Sequence, residues 1–169
     1  MTENNDEHAL AVRSMRTVFC AIFVLIVLAD QTTKQIMLHL IFDPPRRIEI
    51  LAIFNLVPVW NRGMSFGMLA GGGAMVPIGL TSLAVAVSTW LFWMVPRLRR
   101  VQRLAAACIA GGAIGNAIDR LRFGKVVDFI DLHYAGLHWP AFNLADAAIT
   151  IGAVLWGYSI LREQETSRI

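Results

Sequence analysis

Residues 74–95 have the sequence AMVPIGLTSLAVAVSTWLFWMV, and this uncharged run decides the class of fold. A helix needs about 20 mostly apolar residues to cross the hydrocarbon core of a bilayer, and this run is long enough to do so. It ends at Pro96, and Arg97, Arg99 and Arg100 follow. An apolar helix that stops at a proline and is flanked by arginines is typical of a transmembrane span whose end faces the cytoplasm. The chain is therefore predicted to be a membrane protein.

The composition of the whole chain agrees with this prediction. Of its 169 residues, 56% are hydrophobic and only 16% are charged, whereas soluble domains average about 25% charged residues. A soluble globular domain and a disordered chain are both disfavoured. The net charge of +3 comes from short basic clusters beside apolar runs, so no nucleic-acid partner is expected. Cys20 and Cys108 lie within apolar segments and indicate neither a disulfide framework nor a zinc site.

Three further apolar segments complete a predicted bundle of four transmembrane helices. The expected helices span about residues 17–37, 74–95, 101–119 and 142–161, with outer segments at about 43–69 and 121–141. Residues 1–169 are expected to form a single membrane-embedded domain. The first outer segment alternates β-branched or aromatic residues with polar ones, which predicts a small sheet on the membrane surface. The predicted fold class is an all-α membrane protein of four transmembrane helices with a small extracytoplasmic β-sheet cradle and a loop.

Basic residues near the helix ends predict the orientation in the membrane. Arg13 and Arg16 precede the first helix, four arginines lie within the short connection at 97–103, and Arg162 follows the fourth helix. Under the positive-inside rule, this pattern places both termini in the cytoplasm. The first apolar run ends in Ala-Asp-Gln without a small-residue cleavage pattern, so a retained helix is expected rather than a cleaved signal peptide.

Polar residues that are unusual in a membrane protein collect on one side of this predicted topology. They lie at the outer ends of the helices or in the outer segments. Ionisable groups at membrane depth are energetically costly and are functional candidates for that reason. The set comprises Asp30, Lys34, Asn61, Arg62, Asn116, Asp119, Arg120, Asp128, Asn143 and Asp146. Their shared position predicts a polar site at the outer boundary of the membrane.

Some of these residues also have a purely structural interpretation. Asp30 and Lys34 are four residues apart and can pair on one helix face, and the same spacing separates Asn116 from Arg120. Asp119 is expected to pair with the neighbouring Arg120. These residues are therefore interpreted as structural support before any catalytic role is considered.

Asp128 and Asp146 are the strongest candidates for chemistry. Asp128 lies within the apolar segment VVDFI, whereas Asp131, three residues later, serves as the ordinary comparison. Asp146 follows Asn143 in a pattern that resembles a capping box, where the helix dipole alone favours a carboxylate. A carboxylate among apolar neighbours has a raised pKa unless it is paired, and two carboxylates that share a site titrate at separated pH values. That is the electrostatic arrangement of an aspartic peptidase.

Other chemistries fit the residues less well. A nucleophilic Ser65 activated by Lys34 would require a neutral lysine, but nearby carboxylates would keep it charged. His133 and His138 have no third ligand at the spacing of a metal site. The alternative function is a small proton-coupled membrane carrier or channel subunit. It would predict acidic residues spread through the bilayer or an internal repeat, and the sequence has neither.

Five segments of the chain resemble the lipoprotein signal peptidase (signal peptidase II) family of bacterial membrane aspartic peptidases. They are DQTTK at 30–34, WNRGMSFG at 60–67, GGAIGNAIDR at 111–120, VVDFI at 126–130 and FNLAD at 142–146, in the order found in the family. The second motif of the family more often has Tyr at the position of Trp60 and Ala at the position of Ser65. Arg62 adds a charge to that motif.

The resemblance implies an activity and a set of site residues. It implies a metal-independent aspartic endopeptidase without cofactors that removes the signal peptide of diacylglyceryl-modified prolipoproteins, cleaving on the N-terminal side of the lipid-modified cysteine. Asp128 and Asp146 correspond to the catalytic pair, and which of them carries the proton stays open. The supporting or substrate-binding positions are Asp30, Lys34, Asn61, Gly63, Asn116, Asp119, Arg120 and Asn143. We expect a monomer in the bacterial inner membrane, with lipid-modified prolipoproteins and membrane lipids as partners and the active site at the outer face.

Overall fold

A computed structural model describes residues 2–63 and 75–166, without the side chains of residues 2–6, 8, 9, 165 and 166. Ser65 and the end of the first outer segment lie outside the described residues. The elements, in chain order, are α1 (Thr2–Ile41), β1 (Ile48–Leu51), β2 (Phe54–Asn61), α2 (Met75–Met94), α3 (Arg100–Phe123), β3 (Val126–Tyr134), β4 (Leu137–His138) and α4 (Leu144–Thr166). A short 3-10 helix, Val95–Arg97, connects α2 to α3.

The four helices are each long and apolar enough to cross a membrane, as the sequence predicts. The candidate spans are Leu10–Ile41, Met75–Arg97, Arg100–Phe123 and Leu144–Gln164. Three helices extend past the predicted bounds: α1 starts before residue 17, α3 continues beyond residue 119, and α4 continues beyond residue 161. The added turns contain charged residues and alanine, which end an apolar window but have good helix propensity. The length of an uninterrupted apolar run in the sequence therefore underestimates the length of the helix that contains it.

Helix α3 is the central helix of the bundle. In the most apolar stretch of α3, half of the residues are buried inside the protein, whereas the buried share of the corresponding stretch is 6% in α1, 17% in α2 and 11% in α4. Small residues allow this close packing: a Cβ added at Gly111 would come within 3.0 Å of Ile26 in α1, and one added at Gly112 would overlap the backbone of Ala145 in α4. Gly111 and Gly115 are four residues apart in α3, which is the spacing of a close-packing motif of membrane helices. The remaining helices face outward with exposed apolar side chains, which suits contact with lipid.

The strands form one antiparallel sheet in the order β1-β2-β3-β4 at one end of the bundle. Strand β3 corrects the expectation that residues 121–141 form only a loop. The run Val126–Ile130 is β-branched and apolar, and it pairs with β2 as a buried strand. Val127 and Phe129 pack on Ile41 at the end of α1, which joins the sheet to the helices.

Strand β2 contains a bulge beside Pro58. Leu56 pairs with Ile130, but Val59 pairs with Asp128, so β2 uses one more residue than β3 between these two pairs. Proline has no backbone N–H to donate to a ladder and is therefore accommodated at bulges. Side chains alternate between the two faces of a strand, so the extra residue moves all later side chains of β2 to the opposite face.

Candidate active site

Asp128 lies in β3 and is 1% exposed. Each of its carboxylate oxygens accepts a hydrogen bond from an asparagine amide. Asn143 Nδ2 donates to Oδ1 at 2.6 Å, and Asn61 Nδ2 donates to Oδ2 at 2.8 Å. Asn61 ends β2, whereas Asn143 directly precedes α4. The sheet and a membrane helix therefore meet at this carboxylate.

Asp146 lies in the first turn of α4 and is partly buried. Its backbone N–H donates to Asn143 Oδ1 at 3.0 Å, and the backbone N–H of Asn143 donates to Asp146 Oδ2 at 3.3 Å. The predicted capping box is thus confirmed. Asn116 Nδ2 from α3 donates to Asp146 Oδ1 at 2.7 Å. Capping and membership of the polar site are therefore compatible roles for Asp146.

The asparagines around the two carboxylates are held in one orientation by their side-chain oxygens. Asn61 Oδ1 accepts the backbone N–H of Gly63 at 2.8 Å. Asn116 Oδ1 accepts Lys34 Nζ at 2.9 Å and Asn143 Nδ2 at 3.1 Å. Because each amide oxygen is engaged by a donor, each amide nitrogen faces a carboxylate. The result is a continuous chain of hydrogen bonds from Asp128 through Asn143 and Asn116 to Asp146.

Lys34 lies at the centre of a buried ionic cluster on the α1 side of α3. Its ammonium group is 2.9 Å from Asp30 Oδ2 and 3.0 Å from Asp119 Oδ2, and all three side chains are at most 2% exposed. The predicted pairing of Asp30 with Lys34 is confirmed. Two close carboxylates also support the expectation that Lys34 is not the base of a serine–lysine dyad.

The two carboxylates of this cluster hold the backbone beside the candidate pair. Asp30 Oδ1 accepts the backbone N–H of Ala145 at 3.0 Å, and Asp119 Oδ2 accepts that of Val127 at 3.0 Å. Ala145 immediately precedes Asp146, and Val127 immediately precedes Asp128. Since Lys34 bridges Asp30 and Asp119, the ionic cluster positions both candidate catalytic segments from one point.

Arg120 does not fulfil the two pairings expected of it. The side-chain partners of Asp119 are Lys34 and Gln31, and Asn116 bonds to residues on α1 and near α4. Neighbouring residues on a helix project in different directions, so Asp119 and Arg120 do not face each other. The Arg120 side chain has no hydrogen bond or ion pair with the described residues, although its charge interacts with those of Asp146, Asp119 and Asp128.

Two further site residues have contrasting outcomes. Arg62 is exposed and has no hydrogen bond or ion pair with the described part of the chain. Gln31, by contrast, is not among the predicted site residues, yet its Nε2 lies 3.0 Å from Asp119 Oδ1, 3.2 Å from Asp30 Oδ2 and 3.1 Å from the carbonyl oxygen of Gly115. A polar amide within an apolar membrane helix is the sequence signal that could have identified it.

Burial raises the pKa of Asp128 to about 6. The hydrogen bond from Asn61 acts in the opposite direction, while the nearby charge of Asp146 raises this pKa as well. Weaker effects of Asn143 and Lys34 lower it. A carboxyl group with a pKa near neutrality can exist in either protonation state under physiological conditions, which is the property required of an acid–base catalyst.

Asp131, the residue chosen from the sequence as the ordinary comparison for Asp128, is itself buried and hydrogen-bonded. It is 6% exposed and accepts hydrogen bonds from Asn55 Nδ2 at 2.8 Å and from His138 Nδ1 at 2.8 Å. Burial acts to raise the pKa of Asp131, but the hydrogen bonds from Asn55 and His138 outweigh it and leave the pKa below its usual value.

His133 stacks on His138 with ring centroids 5.0 Å apart. In the described ranges, no three His, Cys, Asp or Glu side chains are grouped as a metal site.

Comparisons with known proteins agree with the geometry. Residues 22–162 match the family described as signal peptidase (SPase) II. A lipoprotein signal peptidase of Paraburkholderia phymatum is 44% identical over 147 residues, which cover 86% of this chain and 88% of the relative. Another, from Burkholderia thailandensis, is 41% identical over 149 residues, which cover 87% of this chain and 89% of the relative.

Two solved structures, each described as a bacterial membrane enzyme, are similar in fold. The first has a TM-score of 0.75 and 27% sequence identity, and the aligned region covers 89% of this chain and 91% of the chain in the solved structure. The second has a TM-score of 0.72 and 28% sequence identity, and the aligned region covers 86% of this chain and 93% of the chain in the solved structure. With a family match over most of its length, the chain belongs to the signal peptidase II family.

Proposed function

We propose that this protein is a lipoprotein signal peptidase that uses Asp128 and Asp146 as an aspartic catalytic pair. The observation that carries the proposal is the chain of hydrogen bonds joining the two carboxylates through Asn143 and Asn116. Its substrate is a diacylglyceryl-modified prolipoprotein, cleaved on the N-terminal side of the modified cysteine. Family membership favours this activity over the carrier or channel alternative.

The mechanism is general acid–base catalysis by water. The ionised carboxylate removes a proton from a water molecule, and the resulting nucleophile attacks the carbonyl carbon of the scissile peptide bond. The protonated carboxyl group donates its proton to the carbonyl oxygen, which gives a tetrahedral diol. As the diol collapses and its C–N bond breaks, the carboxyl group that took the proton from water passes it to the leaving amine of the modified cysteine. The other carboxylate recovers a proton from a diol hydroxyl, and the signal peptide leaves as a carboxylic acid. The shared proton belongs to the pair of carboxylates, and because burial raises the pKa of Asp128 to about 6, Asp128 can take part in its exchange near neutral pH.

The position of the pair suits a substrate that is itself embedded in the membrane. Asp128 lies in the sheet, and Asp146 lies where α4 enters its apolar span. A signal helix can lie against the apolar faces of the bundle while its cleavage site reaches this boundary. The lipid chains of the modified cysteine can then remain in the bilayer. Both carboxylates come from one chain, which supports a monomer as the active unit.

The test is a gel-shift cleavage assay with purified protein and a diacylglyceryl-modified prolipoprotein. We expect cleavage that persists with an excess of chelator and that Asp146→Asn abolishes, and the unlipidated substrate serves as the control. The Asp146→Asn variant retains a side-chain oxygen that can still accept the backbone N–H of Asn143, so its thermal unfolding should stay close to that of the native protein. Full activity of Asp146→Asn, or loss of activity with chelator, would contradict the proposal.

We further propose that both termini are cytoplasmic and that the site faces outward. The arginines of residues 97–103 support this orientation through the positive-inside rule. Single cysteines at Ser14 and Glu49, both exposed, can be introduced in a chain without Cys20 and Cys108. In intact cells, only the cysteine at position 49 should react with a membrane-impermeant thiol reagent. Labelling of the cysteine at position 14 alone would show that the orientation is the opposite of the one proposed.

A further inference from the structure

A groove of about 610 Å³ lies between α1 and α2, far from the carboxylate pair. One stripe of α1, running from Arg13 to Val24, forms most of it, and Phe92 of α2 closes the other side. The rise of a helix places Arg13 roughly 25 Å along α1 from Asp30. The groove is therefore separate from the proposed active site and belongs to the opposite end of the bundle.

The two ends of this groove differ in chemistry. Arg13 and Arg16 lie at one end of the groove, whereas Cys20, Ala21 and Val24 line the part that runs towards the middle of α1. The stripe spans twelve residues, and the eleven steps between its ends correspond to about 16 Å along the helix axis. Half of a bilayer core of about 30 Å is 15 Å. The groove thus has the length of one leaflet, with its cationic part at headgroup level and its apolar part at acyl-chain depth.

The arginines have no anionic partner in the described part of the chain. Arg16 places its guanidinium over the rings of Phe92 and Trp93, at 5.1 and 5.5 Å from the ring centroids. Its Nε is shielded from solvent and has no hydrogen-bond partner there. Arg13 contributes its backbone carbonyl to Thr17, and no described acidic side chain pairs with its guanidinium. Two positioned cations at one end of an apolar groove favour a ligand that combines a phosphodiester with an acyl chain.

We propose that this groove binds one anionic phospholipid, with the phosphodiester at the two arginines and one acyl chain along the apolar part of the groove. A zwitterionic headgroup is a poorer ligand, because it would bring its own cation towards two guanidinium groups. Bound lipid would fill the space between α1 and α2, which both pack on α3. The expected ligand class is a phospholipid with net negative charge, such as phosphatidylglycerol.

Native mass spectrometry of the delipidated full-length protein tests the proposal. Phosphatidylglycerol and phosphatidylcholine with identical acyl chains are titrated separately. The native protein should bind phosphatidylglycerol about tenfold more tightly, and the double variant Arg13→Ala/Arg16→Ala should lose this preference. Arg97→Ala is the matched control, because Arg97 is exposed at the same end of the bundle but does not line the groove. Equal binding of the two lipids, or an equal loss in Arg97→Ala, overturns the proposal.

A second variant separates a lipid site from a simple anion site. Ala21→Phe keeps both arginines and fills the groove at an exposed position, so it should weaken phosphatidylglycerol binding without lowering the melting temperature of the lipid-free protein. The soluble headgroup glycerophosphoglycerol should not displace the lipid. Unchanged lipid binding in Ala21→Phe, or displacement by the soluble headgroup, would show that the groove does not hold an acyl chain. If the double alanine variant is unstable, Arg13→Lys/Arg16→Lys must retain the preference, and its loss there also contradicts the proposal.

Discussion

Asp128 and Asp131 are two buried carboxylates three residues apart on one strand, but their surroundings differ. Asp128 accepts two amide hydrogen bonds, and the nearby Asp146 carries a like charge. Asp131 accepts one amide and one imidazole hydrogen bond, from Asn55 and His138. The pKa of Asp128 is raised to about 6 by burial, whereas that of Asp131 is lowered. Burial is the largest single influence on the pKa of both carboxylates. At Asp131 the hydrogen bonds from Asn55 and His138 outweigh it, whereas at Asp128 the hydrogen bonds from the asparagines do not.

The bulge in β2 is the feature that separates the two sites. Asn55 and Asn61 are six residues apart, so a regular strand would place them on the same face of the sheet. Asp128 and Asp131 are three residues apart and lie on opposite faces of β3. Each asparagine reaches a different aspartate only because β2 gains one residue near Pro58. The bulge thus supplies one asparagine to the face of the proposed active site and the other to the opposite face.

The largest expected difference between the two sites is in catalysis. Asp128→Asn should reduce the cleavage rate about 10³- to 10⁴-fold, because it removes one acid–base group while keeping the size of the side chain. Asp131→Asn should cleave at close to the native rate, since the reacting groups are unchanged. Initial rates with a lipidated prolipoprotein measure both. A large loss of activity in Asp131→Asn would place that residue in the reaction.

Among the asparagines of the site, substitution of Asn143 should lower the cleavage rate the most. It donates to Asp128, accepts from the backbone N–H of Asp146 and caps α4, so we expect Asn143→Ala to lower the cleavage rate about 10²-fold. Loss of the cap should also reduce stability by about 1 kcal/mol. The matched variant Asn55→Ala should reduce stability through Asp131 but keep the rate. Equal rates in these two variants would remove the distinction between the two faces of the sheet.

The pH dependence of stability should have opposite signs at the two carboxylates. Asp128 has a folded pKa of about 6, above its unfolded value, so the folded state binds more protons and its contribution to stability falls as the pH rises from about 4 to about 6. The full difference is about 3 kcal/mol. The pKa of Asp131 is lowered on folding, so its contribution is present above the unfolded pKa and is lost as the pH falls through the folded pKa.

Thermal unfolding of the Asp128→Asn and Asp131→Asn variants across this pH range separates the two contributions. Relative to the native protein, the Asp128 variant should gain stability towards neutral pH. The Asp131 variant should lose stability there and approach the native protein in acid. Parallel curves for the two variants would contradict the assigned pKa directions.

The smallest expected effect is on the pH–rate profile of Asn61→Ala. The hydrogen bond from Asn61 lowers the pKa of Asp128, so its removal should move the pH limb governed by Asp128 to higher pH. The rate at the optimum should fall by about tenfold, as expected for one hydrogen bond to a charged group. Asn55→Ala should leave the profile in place. An unshifted profile in Asn61→Ala would mean that Asp128 does not control that limb.

Sequence patterns predicted the parts of the site that depend on local spacing. The pairing of Asp30 with Lys34 follows from four-residue spacing on a helix, and the capping box of Asn143 and Asp146 follows from three-residue spacing at a helix start. The four helices follow from apolar runs of sufficient length. These features require only the geometry of one element.

Features that depend on packing between elements were not predictable in this way. The contact of Lys34 with Asp119 joins α1 to α3 across 85 positions of the chain, so the spacing of residues along one helix cannot predict it. Arg120 was chosen as the partner of Asp119 because it is adjacent in sequence, although helix geometry turns it away. The assignment of Asn55 to Asp131 and of Asn61 to Asp128 depends on a strand bulge whose effect on register is visible only once β2 and β3 are paired.

The missing side chain at Gly115 has a mechanical consequence for a protein in a deformable bilayer. A Cβ there would lie 2.5 Å from Asp30 Oδ2, so the glycine leaves the gap through which Asp30 reaches the backbone of Ala145. This contact ties α1 to the start of α4 beside the central helix. Helices accommodate changes in membrane thickness by tilting, and here a tilt of α1 is transmitted directly to the segment that carries Asp146. Thinning or thickening of the membrane would therefore move the substrate relative to the carboxylates more than it would move the two carboxylates apart.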